Sequence, residues 1–143
     1  MSINAVRHKM NTIYKSYAKS VGLSYASILV LQILCEPQSR HLPKGHHTQK
    51  EICRRLGLPK QFVNSVVKSF WEQGYVELKE ARDRRNKEII VTEKGEAFAL
   101  RVLKPLEDAE AAAWGSFSDE EIQALACMME RYIAAFEGAI GPR

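Results

Sequence analysis

The chain has 143 residues, of which 45% are hydrophobic and 27% are charged, and its net charge is +4. This length and composition are those of an ordinary globular domain, so we expect one compact unit. The longest nearly apolar run, residues 26–35, is far shorter than the roughly 20 residues that cross a bilayer, which excludes a membrane-spanning segment.

The charges are segregated along the chain. Residues 40–87 carry twelve lysines and arginines against five acidic residues, a net +7, whereas residues 88–143 carry five against eleven, a net −6. A basic middle followed by an acidic C-terminal part indicates that only the middle binds a polyanion.

The first third of the chain predicts two helices and a loop. Apolar residues at helical spacing between Ile3 and Val21 predict a first helix, an interpretation we favour over a basic targeting segment. Gly22 breaks this pattern, and Ser24 has the side chain of an N-cap for a second helix. Residues 37–47 contain proline and glycine but no apolar periodicity, so we expect an exposed loop there.

The next segment predicts a helix-turn-helix. Thr48-Gln49-Lys50-Glu51 has the pattern of a capping box and predicts the start of a third helix, which Gly57 would end in a left-handed conformation. A fourth helix spans residues 59–73, with Pro59 at its first position. Its apolar residues predict one broad buried side: Phe62, Val63, Val66, Val67, Phe70 and Trp71. Polar and basic residues near the start of the second of two such helices are typical of this motif.

A charged hairpin follows the fourth helix. Residues 75–78 and 88–91 alternate like two short strands and enclose a highly charged tip. A basic hairpin directly after such a helix is typical of a wing, because its cations can contact phosphates beside an inserted helix. The alternative for Arg82, Arg84 and Arg85 is a solvated turn without a partner.

Two further helices complete the chain. Thr92 is placed to cap a fifth helix that runs toward Trp114, with a kink or a local loss of a hydrogen bond expected at Pro105. Ser118-Asp119-Glu120-Glu121 is a second capping box and predicts the start of a last helix.

Several of these fragments, in this order, resemble the MarR family of bacterial winged helix-turn-helix transcriptional regulators. The matching pieces are Gly22-Leu23-Ser24, Thr48-Gln49-Lys50-Glu51-Ile52, Leu56-Gly57-Leu58, Glu72-Gln73-Gly74-Tyr75-Val76, and Asp83-Arg84-Arg85 followed by Val91-Thr92-Glu93-Lys94-Gly95. The resemblance implies a single domain over residues 1–143, mainly α with a small β-hairpin. Residues 24–92 would form the winged module, and residues 1–21 and 93–140 the dimerisation helices.

The function that this resemblance implies is sequence-specific DNA binding by a homodimer in the cytoplasm. Two-fold symmetry predicts a pseudo-palindromic operator with half-sites about 10 base pairs apart. The resemblance also implies modulation by a small-molecule effector, for which we assign no residues. No catalytic or phosphate-binding motif is present, so we expect neither an enzyme nor a cofactor, and no membrane partner. Some winged helices bind proteins instead, and a shallow salt dependence would indicate that class.

The resemblance places the fourth helix in the major groove of DNA and the wing in the adjacent minor groove. We predict that Gln61, Asn64 and Ser65 read base edges and that Lys60 and Lys68 hold phosphates. In the wing, the predicted contacts come from four basic residues, with Arg85 in the minor groove and Asp83 orienting a neighbouring arginine. These four are Arg82, Arg84, Arg85 and Lys87. Many relatives carry Thr and Arg where this chain has Asn64 and Ser65, so the operator does not carry over.

A metal-responsive regulator of the same fold is one alternative. His41, His46 and His47 cluster in the predicted loop, but adjacent histidines rarely bind one ion and no carboxylate or thiolate lies at helical spacing beside them. We therefore favour a solvated loop and expect no metal site.

A redox-responsive regulator is the other alternative. Cys35, Cys53 and Cys127 are odd in number and widely spaced, which argues against a disulfide framework and a zinc site. Each lies in an apolar helical pattern, so we expect buried thiols. Cys53 alone has cations beside it, Arg54 and Arg55, and is the residue to test for oxidation.

Overall fold

A computed structural model describes residues 1–36, 47–80 and 87–142 of the chain. These ranges contain six helices: α1 Ile3–Ser20, α2 Tyr25–Leu34, α3 Gln49–Leu56, α4 Lys60–Glu72, α5 Glu93–Trp114 and α6 Asp119–Ile140. They also contain three short strands: β1 His47–Thr48, β2 Val76–Glu80 and β3 Lys87–Val91. The predicted mainly helical fold with a small hairpin is confirmed.

Helices α2, α3 and α6 begin where side chains cap their first turns. The Ser24 hydroxyl accepts a hydrogen bond from the N–H of Ser27 at 3.1 Å, and the Thr48 hydroxyl accepts one from the N–H of Glu51 at 3.2 Å. At the start of α6, Ser118 and Glu121 form the complete predicted capping box. Each cap satisfies N–H groups that have no partner inside the helix, which fixes these boundaries from local sequence alone.

The sheet has one strand more than the sequence predicted. All pairs are antiparallel in the order β1-β3-β2, with Val76 opposite Val91 and His47 opposite Ile89. His47 is therefore buried, at 5% exposure, and the expectation that it belongs to an exposed loop is wrong. A two-residue strand is too short to produce a recognisable alternation, which is why the pattern missed β1.

The chain divides into two compact units, Met1–Leu106 and Glu107–Arg143. In the first unit, α2, α3, α4 and β3 supply the largest fully buried side chains: Phe70, Ile28, Leu31, Ile52, Ile89, Val30 and Val63. This core holds α3 and α4 against the sheet. The N-terminal part of α1 lies outside it, because Ile3, Val6, Met10 and Ile13 are exposed.

The second unit contains the end of α5 and all of α6. None of the described residues of α6 is buried, and its apolar side chains are exposed along its length. The exposed members are Leu125, Met128, Met129, Tyr132, Ile133, Phe136 and Ile140. The predicted apolar register of this helix is present, but none of the residues that the structure describes buries it.

The cysteines depart from the expectation of burial. Cys35 and Cys127 are exposed and Cys53 is half-buried. Cys35 lies at the C-cap of α2, and Cys127 lies on α6, where every side chain is at least partly exposed. An apolar sequence context therefore did not report burial for these two thiols.

Among the described residues, no single helix has the length and hydropathy to cross a membrane. The pair α1 and α2 meets those criteria only when taken together, across a bend of 86°.

Candidate nucleic-acid interface

The turn between α3 and α4 orients the candidate recognition helix. Gly57 ends α3 with φ of 62°, a left-handed conformation that glycine adopts without a steric penalty. Pro59 is the N-cap of α4 and not its first residue as predicted, so the helix begins one residue later, at Lys60. The Pro59 carbonyl accepts a hydrogen bond from the N–H of Phe62 at 3.0 Å. Val63, Val66, Val67 and Phe70 then bury one side of α4 in the core, as predicted.

The opposite side of α4 is polar and exposed. It presents all five residues predicted on this helix: Lys60, Gln61, Asn64, Ser65 and Lys68. Their spacing of three and four residues places them along one face, and Lys60 and Lys68 are about 12 Å apart along the axis at 1.5 Å per residue. The first turn of α4 contains no acidic residue, and Glu72 lies at the other end of the helix. The N-terminal part of this face therefore suits an anionic ligand.

Cations on α3 add to this positive surface. Lys50 and Arg54 are exposed, whereas the Arg55 guanidinium is paired with Glu36 across 2.9 Å. That ion pair is more than one-third exposed on both sides, so it contributes little to stability.

Hydrogen bonds join the end of α4 to the start of α5. The Thr92 hydroxyl donates to the carbonyl of Gly74 at 2.6 Å and accepts from the N–H of Gly95 at 3.0 Å. The Thr92 N–H donates to the carbonyl of Tyr75 at 3.0 Å. We call this group the α4–α5 clamp; its members are Gly74, Tyr75, Thr92, Lys94 and Gly95.

Lys94 and Gly95 complete the clamp in different ways. The Lys94 ammonium donates to the carbonyl of Gln73 at 2.9 Å and lies 5.5 Å from the centroid of the Tyr75 ring. Gly95 is buried so close to Tyr75 that a Cβ atom there would overlap the Tyr75 carbonyl. The predicted cap at Thr92 forms, and the rest of Thr92-Glu93-Lys94-Gly95 was indicated only by resemblance. The clamp supplies the physical reason for Thr, Lys and Gly in this order.

The described part of the wing ends in oppositely charged pairs. Lys79 faces Glu88 and Glu80 faces Lys87 across the two strands, an arrangement that stabilises a hairpin modestly. Lys87, a predicted DNA contact, is exposed at the start of β3. The other predicted wing residues lie outside the described residues: Arg82, Asp83, Arg84 and Arg85.

Two aromatic residues of α4 are not where the sequence placed them. Phe62 and Trp71, predicted on the buried side, are 60% and 54% exposed. The buried side of α4 is narrower than predicted: it contains only the three valines and Phe70, and Phe62 and Trp71 lie at its two edges. A helical wheel could have indicated their exposure, since both positions border polar residues.

The alternative sensing sites gain no geometric support. Within residues 1–36, 47–80 and 87–142, no three His, Cys, Asp or Glu side chains are grouped as metal ligands. His41 and His46 lie outside these ranges. Cys53 is half-buried on α3, beside the exposed Arg54.

Comparisons with known proteins agree with this architecture. A family model described as the MarR family matches residues 22–86, which include α2, the helix-turn-helix and part of the wing. A MarR family regulator from Neisseria meningitidis is 28% identical, with a TM-score of 0.62 over 96% of this chain and 100% of that chain. No curated protein sequence is significantly similar to the chain.

Two structures solved with DNA share the fold. The MepR–DNA complex from S. aureus has a TM-score of 0.72 at 15% identity and covers 94% of each chain. A MarR family regulator from Listeria monocytogenes, described as putative and complexed with a 26-mer DNA, has a TM-score of 0.71 at 19% identity, covering 93% of this chain and 85% of that chain.

Proposed function

The chain belongs to the MarR family of transcriptional regulators, and on this premise we propose that it binds a pseudo-palindromic DNA operator as a homodimer. Family membership confirms the expectation that the chain is not an enzyme, because the family consists of regulators. A role on chromosomal DNA would place the protein in the cytoplasm. The observation that carries the proposal is the exposed polar and basic face of α4, held on a winged helix-turn-helix.

Each predicted residue has a role in this proposal. Gln61, Asn64 and Ser65 read base edges, because amide and hydroxyl groups match the donors and acceptors of the major groove. Lys60 and Lys68 hold phosphates on either side of them. The wing residues Arg82, Arg84, Arg85 and Lys87 contact the neighbouring backbone and minor groove, with Asp83 orienting one of the arginines. Two structural relatives solved with DNA support this mode of binding.

The exposed apolar side chains support the homodimer. Those of α1 and of the second unit form extended apolar faces, and large exposed apolar patches mark interfaces. A second copy would cover both, and its two-fold symmetry would set two α4 helices about 34 Å apart, one turn of DNA. Modulation by a small molecule rests on family membership alone.

Selection of bound DNA from a random pool at controlled salt tests the proposal. We expect an enriched pseudo-palindrome whose half-sites are about 10 base pairs apart. Arg85→Ala should lose selectivity only in the region flanking each half-site, where the wing would lie. Failure of the wild type to enrich any sequence would contradict the proposal.

The salt dependence of binding tests the phosphate contacts separately. Lys68→Ala should weaken binding to all sequences similarly and reduce the slope of log K against log salt by about one per subunit. Lys15→Ala on α1 removes the same charge away from α4 and should leave the slope unchanged. An equal effect of both variants would mean that Lys68 acts only through net charge.

A further inference from the structure

Phe62 is an exposed aromatic residue in the first turn of α4. Its side chain is 60% exposed, whereas Phe70 on the same helix is 1% exposed. Single exposed apolar residues are common on protein surfaces, so the position of Phe62 has to carry any functional argument.

That position is beside one of the predicted base readers. Phe62 lies at the edge of the exposed side of α4, and Ser65 is its neighbour three residues along the helix. Ser69 continues the same row one turn further. Because serine side chains are short, the phenyl ring extends beyond its neighbours on this side of α4.

The major groove offers one apolar group that a phenyl ring can contact. Thymine carries a methyl group at C5, whereas the other base edges present hydrogen-bond donors and acceptors, and phenylalanine is among the side chains that pack on this methyl. Cytosine methylated at C5 presents the same group. Residues at the N-terminal end of a recognition helix are those that reach base edges.

We propose that Phe62 is a specificity-determining residue that packs on the 5-methyl group of one pyrimidine in each half-site. This inference rests on the proposed function, because it requires α4 in the major groove. A phenyl ring gives no hydrogen bond to the amino group of cytosine, so Phe62 selects for the methyl-bearing base at its position.

Methyl deletion in the DNA tests this contact directly. In the site selected by the wild type, each thymine is replaced by uracil, first in one half-site and then at the symmetric positions of both, which removes the methyl group and keeps every hydrogen-bonding group. We expect one position at which Kd rises about fourfold for one half-site and about 15-fold for both. In Phe62→Ala, the thymine and uracil duplexes should bind equally.

A second experiment replaces each cytosine by 5-methylcytosine. Tighter binding there that depends on Phe62 would identify methylated cytosine as the source of the methyl group.

Trp71→Ala is the matched control, because Trp71 is an equally exposed aromatic residue at the far end of α4. It should keep the full difference between thymine and uracil. If no methyl substitution changes Kd, or if the change is the same in wild type and Phe62→Ala, the inference is wrong while specific DNA binding stands. If the wild type selects no sequence at all, the proposed function fails and this inference fails with it.

Discussion

The two compact units of the chain use their apolar residues in opposite ways. In Met1–Leu106, helix α4 buries Phe70 and three valines, and α2 and β3 complete a closed core around them. In Glu107–Arg143, Ile133 and Phe136 remain about half exposed, and none of the described residues of α6 is buried. The core of the first unit is completed within one chain, apart from the exposed apolar side chains of α1, whereas the apolar side chains of α6 in the second unit remain exposed.

Similar apolar side chains therefore contribute to different properties in the two units. Burial of an apolar side chain contributes roughly 1.5–3 kcal/mol wherever the partner surface comes from. In the first unit that free energy maintains the position of α4. In the second unit it is available for association with a second copy, as the proposed homodimer requires.

The largest effect is expected from opening the core of the first unit. Phe70→Ala should lower the free energy of unfolding by about 3–5 kcal/mol, because it removes a buried ring and leaves a cavity. Phe62→Ala on the same helix is the control and should change it by no more than about 0.5 kcal/mol. Urea denaturation at fixed protein concentration measures both. Equal losses would mean that Phe62 is covered in solution.

A charge on α6 should act on association rather than on the core. Ile133→Asp should raise the dimer dissociation constant at least about 100-fold, because two copies of the side chain leave the interface and two carboxylates would be buried. Gln123→Asp, in the polar row that Gln123 forms with Glu130 and Glu137 by helical spacing, should leave the dissociation constant nearly unchanged. Sedimentation velocity over a range of concentrations measures both. A wild type that is monomeric at all concentrations would contradict the proposed homodimer.

The sequence predicted what depends on neighbouring residues in the chain. The caps at Ser24 and Ser118 form as expected, and Thr48 forms the hydroxyl half of its predicted capping box, because each of these bonds needs only a hydroxyl and an N–H three residues later. The polar face of α4 was predicted for a similar reason, since helical spacing alone separates it from the valines. The apolar registers of α1 and α6 were also visible, although the sequence could not show that the single chain leaves them exposed.

Tertiary context decided the features that the sequence missed. Strand β1 exists only because β3 is beside it, and His47 is buried for the same reason. The exposure of Phe62 and Trp71 depends on how wide an arc of α4 the other elements cover. Apart from the local cap between Thr92 and Gly95, the hydrogen bonds of the α4–α5 clamp join residues about 20 positions apart, so neither periodicity nor local propensity could indicate them.

The smallest expected effect on stability comes from a substitution in the clamp. The same substitution, glycine to alanine, can be made in both units. Gly95→Ala should lower the free energy of unfolding by about 1–3 kcal/mol, because the new methyl group overlaps the Tyr75 carbonyl and either α5 or β2 has to shift. Gly138→Ala on α6 makes the same change where no atom lies within 4 Å, and should leave stability unchanged or raise it by up to about 1 kcal/mol. Thermal unfolding of both variants at one concentration measures the difference. If Gly95→Ala were as stable as the wild type, Gly95 and Tyr75 could not lie as close together as the clamp requires. The core alone would then have to maintain the position of the wing relative to α4.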